Sequence, residues 1–166
     1  TLVHKEERVN EGWDQLGSLC YRKLSLLPVL TDIVKDYARH EKDIYIGITE
    51  VRNGVRKLVE LAEKGKISSD EKMKNLFSLY QEASSQLNKL SALVEAYPQL
   101  KADKNYLVVQ QQIESTEDGI VAAKNTYNHR VRKYNQDLRT FPTNIIAYLF
   151  KFHPREYFNH EVGDNL

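Results

Sequence analysis

Apolar residues recur at steps of three and four along nearly the whole chain, the signature of helices that each bury one face. Leu2, Val9, Trp13, Leu16, Cys20, Leu24 and Leu27 form the first stripe and predict a helix over residues 2–27. A proline disfavours helical geometry in the residue before it and fits well at the first position of a new helix, so a break is expected at Pro28. Without one, residues 2–64 would make a single helix of roughly 90 Å. The second helix is expected over 28–64, with Leu30, Ile33, Val34, Tyr37, Ile44, Ile48, Val51, Val55, Leu58 and Ala62 on one side and a gap at His40 and Glu41. Gly65, set between lysines, ends it. Serines followed by Asp70 and Glu71 open a third helix over 69–97, which Pro98 stops. Asp103 then caps a fourth, over 103–140.

The second half of that fourth helix carries the stripe Ile120, Ala123, Tyr127, Val131, Tyr134 and Leu138, with Phe141 completing it. Two Tyr-Asn pairs, Tyr127-Asn128 and Tyr134-Asn135, lie one heptad apart and project from the same face, a seam for other helices. After Pro142, residues 143–150 predict a short helix in which Ile145, Ile146, Tyr148, Leu149 and Phe150 leave few polar sides. It is too short to cross a bilayer. It must cap the bundle, lie in a membrane interface or meet a partner. Short loops make successive helices antiparallel neighbours. The expected fold is therefore all-α: one domain over 1–166, a long antiparallel up-and-down four-helix bundle with a short C-terminal helical segment. Its topology returns the end of the fourth helix to the pole of Thr1.

Composition narrows the partners. The chain has 24 basic and 23 acidic residues, so no overall field draws it to nucleic acid. The balance is local only: between residues 124 and 155, Lys124, Arg130, Arg132, Lys133, Arg139, Lys151 and Arg155 face Asp137 alone among acids. Such a stretch reads either as a solvated helix end, favoured by the helix dipole, or as a surface for acidic lipid headgroups. Cys20, the single cysteine, lies on an apolar stripe with no basic group placed to activate it on the same face, and it reads as a small core residue.

Chemistry is sparse. A di-metal centre in a helical bundle needs Glu-x-x-His pairs, and the sequence has none; no metal or other cofactor is expected. There is no nucleophile elbow, phosphate loop or glycine-rich fingerprint. The polar residues at or beside the stripes, His40, Glu41, Arg52, Glu95, Glu117, Asp118, Arg130 and the two Tyr-Asn pairs, are expected to converge on a buried hydrogen-bonded network. Such a network fixes helix register or, as the alternative, lines a ligand-binding or enzymatic cleft around His40, Glu41 and Arg52.

Taken together, Trp13, LLPVL at 26–30, YARHE at 37–41, EAYPQLKAD at 95–103, TED at 116–118, the two YN pairs, FP at 141–142 and YF at 157–158 resemble the LemA family of bacterial proteins. That resemblance implies a four-helix bundle held to the cell membrane by a transmembrane helix ahead of the domain, with no established enzymatic activity. An anchor before Thr1 agrees with apolar periodicity that is already running at Leu2. The function expected is a non-enzymatic, membrane-tethered scaffold for other envelope proteins. The membrane-facing residues would be Arg130, Lys133, Arg139, Lys151 and Arg155, with Ile145, Tyr148, Leu149 and Phe150.

Overall fold

A computed structural model describes residues 1–37, 49–54, 56–57 and 69–158. Helix is the only regular secondary structure among those residues. The helices are α1 (Leu2–Tyr37), α2 (Ser69–Glu95), α3 (Pro98–Lys101), α4 (Lys104–Arg139) and α5 (Thr143–Leu149), and residues 49–54 and 56–57 are also helical. The chain divides into two compact units, Thr1–Ser18 with Gly119–Leu166, and Leu19–Asp118.

The break expected at Pro28 is absent, for α1 runs unbroken through it. An interior proline costs a helix about 3 kcal/mol because it removes one hydrogen bond and crowds the preceding turn. Leu24, Leu27, Leu30 and Val34 lie on one continuous face across the proline and are all buried in the core of the second unit. Each contributes about 1.5–3 kcal/mol on burial, so the packed face outweighs the local defect. The Thr31 hydroxyl also donates to the Pro28 carbonyl at 2.9 Å.

Other boundaries follow the local chemistry. Pro98 ends α2 and opens the one-turn α3. Asp103 caps α4 as its position suggests: its Oδ1 accepts from the backbone N–H groups of Asn105 (2.9 Å) and Tyr106 (3.1 Å). The core of the second unit adds Val51, Ala83, Leu90, Val94, Leu100, Tyr106, Val109 and Ile113. In the first unit Leu2, Val9 and Leu16 of α1 are buried, as are Ile120, Ala123, Tyr127, Val131, Tyr134 and Leu138 of α4. There the two helices are antiparallel: Lys5 is paired with Asp137, and Trp13 packs on Tyr127 with ring centroids 5.8 Å apart. In that unit the end of α4 therefore does return to the start of α1.

Phe141 departs from its expected place. Helical periodicity holds only while the backbone is helical, and α4 ends at Arg139, so Phe141 leaves the stripe and is exposed.

Candidate functional site

Three arrangements of polar or apolar groups stand out, and the expected single buried network is not one of them. Its members are dispersed. Arg52, half-buried, sits 3.6 Å from the exposed Asp32, Glu95 pairs with Lys101 at 2.7 Å on the surface, and Asp118 is exposed. His40 and Glu41 lie outside the described residues, so the cleft proposed around them and Arg52 is left with Arg52 at a surface ion pair.

Glu117 belongs to a compact cluster in the second unit whose centre, Lys23, the periodicity did not single out. Lys23 is 2% exposed although it stands among the polar neighbours Arg22 and Ser25. Its ammonium donates to Glu117 Oε2 (2.6 Å) and Ser84 Oγ (3.0 Å) and lies 4.6 Å from the centre of the Tyr80 ring, while the Tyr80 hydroxyl donates to Glu117 Oε1. The signal available was its spacing, i+3 from Cys20 on the same face. The expectation that no basic group shares that face with Cys20 is thus corrected. The conclusion about reactivity is unchanged, because burial pushes the Cys20 thiol up to about 12, outweighing the lowering by Lys23. Burial and the bond to Glu117 likewise raise Tyr80.

The Tyr-Asn pairs do more than join helices. The Asn128 amide donates to the Phe158 carbonyl (3.0 Å) and its Oδ1 accepts the Phe158 N–H (2.8 Å); Asn135 makes the same two bonds with Arg155 (2.9 and 2.9 Å). The Tyr127 hydroxyl donates to the Glu156 carbonyl between them (3.0 Å). The match is geometric. Seven residues of helix rise about 10.5 Å, and three residues of extended chain cover about 10 Å, so one heptad of α4 holds residues 155–158 as a taut antiparallel strap. Tyr127 also faces Trp13 of α1, so that part of the seam does meet a helix. Tyr134 is buried with its hydroxyl unpartnered among the described residues, and burial raises its pKa.

The third arrangement is apolar and open. Ala147 alone of α5 is buried; Tyr148 is 85% and Phe150 72% exposed, and Phe141, Ile145, Ile146 and Leu149 are at least half exposed. The segment does not cap a core. It closes with a Schellman arrangement, in which the Phe152 N–H reaches the Ala147 carbonyl (2.9 Å) and the Lys151 N–H reaches that of Tyr148 (3.4 Å). Lys151 occupies the left-handed position there, with φ 57°, where glycine is ordinarily favoured.

The expected membrane-facing cations fall in three places. Arg139 and Lys151 flank the apolar stretch. Arg130 and Lys133 lie about 13 and 9 Å up α4 from Arg139 by helical rise, where they share a groove with Lys5 and Arg8. Arg155 is held at the strap and donates to Asn10 Oδ1 at 2.7 Å. Among the described residues no three His, Cys, Asp or Glu side chains gather as a metal site would need, and no helix is long and apolar enough to cross a membrane.

Comparison with known proteins adds kinship. Two magnetosome proteins of Paramagnetospirillum magneticum, MamQ 1 and MamQ 2, are each 30% identical to this chain over 79 residues. The match takes in 47% of this chain and 29% of either relative. The LemA family model matches residues 12–165, nearly the whole sequence, with the cluster, the groove from Thr126 to Lys133 and the strap inside the match. By that match the chain belongs to the LemA family.

Proposed function

We propose that this domain is a non-enzymatic interaction module of the bacterial envelope, an antiparallel four-helix bundle tethered to a membrane, whose α5 end lies in the lipid interface. The observation that carries the reading is where the apolar surface falls. Of twelve exposed large hydrophobic residues among those described, six lie between Phe141 and Phe150. Singly exposed apolar residues need no explanation, but six within one turn-and-helix segment form a patch that water disfavours.

Charge complementarity selects lipid as the occupant. Arg139 and Lys151 border the patch, and the sequence from 138 to 155 has no acidic residue. Each basic side chain near an anionic membrane contributes about 1 kcal/mol. A lysine held in the left-handed conformation, where glycine would spare the fold about 1–2 kcal/mol, supports a use for its ammonium at that rim. Catalysis finds no support in the groups that are buried. The thiol of Cys20 is shifted away from the thiolate, and Lys23, Glu117, Tyr80 and Ser84 are occupied with one another. Other envelope proteins would then dock on the helical faces away from α5.

Co-sedimentation tests the reading. The domain should bind phosphatidylcholine vesicles carrying phosphatidylglycerol more strongly than phosphatidylcholine alone, and Ile146→Asp with Phe150→Asp should abolish both. Wild-type protein that stays in the supernatant with either vesicle would overturn it.

A further inference from the structure

Between the start of α1 and the last four turns of α4 lies a groove of about 340 Å³, within the range of small-molecule sites. Lys5 and Arg8 line one wall, and Thr126, His129, Arg130 and Lys133 the other. The four α4 residues are spaced i, i+3, i+4 and i+7, so they share one face, and Lys5 and Arg8 share another by the same rule. Five of the six side chains are basic, the sixth offers a hydroxyl, and no carboxylate is in the lining.

The neighbouring acids meet only part of this charge. Asp137 pairs with Lys5, and Glu11 approaches Arg130 at 3.9 Å from an exposed position. The side chains of Arg8, His129 and Lys133 have no hydrogen-bond or ion-pair partner among the described residues, so like charges converge without internal compensation. Arg130 is oriented for use, since its Nη1 donates to the Arg8 carbonyl at 2.8 Å and fixes the guanidinium plane at the wall of the groove.

We infer that this groove binds a phosphate monoester or inorganic phosphate. Of the four permanent cations, Lys5 and Arg130 each meet a carboxylate, while Arg8 and Lys133 pair with none among the described residues; these two charges match a dianionic phosphate better than a singly charged diester. Thr126 and the forked arginine donors suit tetrahedral oxygens. The site stands apart from the lipid patch of α5 and does not require it. The phosphate has two possible sources, the headgroup of a monoester lipid such as phosphatidic acid, or a soluble ion.

The test is a ¹⁵N-resolved NMR titration of the whole chain with sodium phosphate, chloride held to constant ionic strength, alongside flotation with phosphatidylcholine vesicles carrying either phosphatidic acid or phosphatidylglycerol. Saturable shifts at Arg8, His129 and Lys133 are expected. Arg8→Gln with Lys133→Gln should weaken them roughly thirtyfold, at about fivefold per cation, while Arg132→Gln, outside the groove, leaves them unchanged. Preference for phosphatidic acid over phosphatidylglycerol, lost in the same double variant, would identify the lipid headgroup as the source. A phosphate response without that preference would identify a soluble ion. Neither a saturable shift nor a preference, or a response that survives the double variant in a folded protein, would overturn the inference.

Discussion

Replacing Lys23 by methionine removes a buried ammonium while keeping most of the aliphatic stem, and the structure fixes what should follow. The Lys23 side chain is 3% exposed and that of Glu117 34%. Breaking a fully buried pair costs about 3–5 kcal/mol, chiefly because one charge is left buried and unpaired. In Lys23→Met the survivor is Glu117, which keeps the Tyr80 hydroxyl and is open enough for water to replace the lost ammonium. Its cost is therefore discounted to about 2 kcal/mol. In Glu117→Leu the survivor is Lys23, deeply buried with only the Ser84 hydroxyl and the Tyr80 ring as partners. That variant should lose the full amount, about 4 kcal/mol. The double variant leaves no unpaired charge and should lie close to wild type. Thermal unfolding followed by circular dichroism reads the order, with a shift of about 2–4 °C per kcal/mol for a chain of this size. Equal losses in the two single variants, or a double variant as unstable as their sum, would refute the reasoning.

Further outcomes follow from the same packing. Asn135→Ala deletes two bonds to the strap at about 1 kcal/mol each, so amide exchange at Arg155 should accelerate roughly thirtyfold. Pro28→Ala restores a helical hydrogen bond inside α1 and should stabilise the protein by about 1–3 kcal/mol in urea; a loss would mean that the proline is needed for the path of the helix. Burial holds both Cys20 and Tyr127 up to about 12, so between about pH 9 and 12 the folded state keeps protons that the unfolded chain has released. Stability should fall as pH rises through that window, and less steeply in Cys20→Ala.

How much of this was legible depends on the range of the interaction that decides each feature. The Asp103 cap, the stop at Pro98 and the stripe from Ile120 to Leu138 rest on contacts within a turn or two, and residue types suffice to read them. Pro28 misled because its local cost is visible in sequence while the buried face of Leu24, Leu27, Leu30 and Val34 that overrides it is tertiary. Lys23 was hidden for a similar reason: a lysine reads as surface until partners 61 and 94 residues away are known to meet it. The heptad spacing of the Tyr-Asn pairs did mark a shared face, but its occupant is an irregular segment with no periodicity of its own. The basic groove was half visible, as the positive stretch around Arg130 and Lys133; its other wall, Lys5 and Arg8, comes from the opposite end of the chain.

The most direct test of the membrane reading measures depth rather than affinity. A nitroxide attached at Leu149→Cys, in protein bound to vesicles containing phosphatidylglycerol, should gain collisions with oxygen and lose them with a water-soluble nickel complex. A label on the exposed Gln111→Cys should keep its aqueous behaviour, and Cys20, buried with its thiol pushed up to about 12, should remain unlabelled. A label at 149 that stays equally open to the nickel complex with and without vesicles would contradict the placement of α5 in the lipid interface.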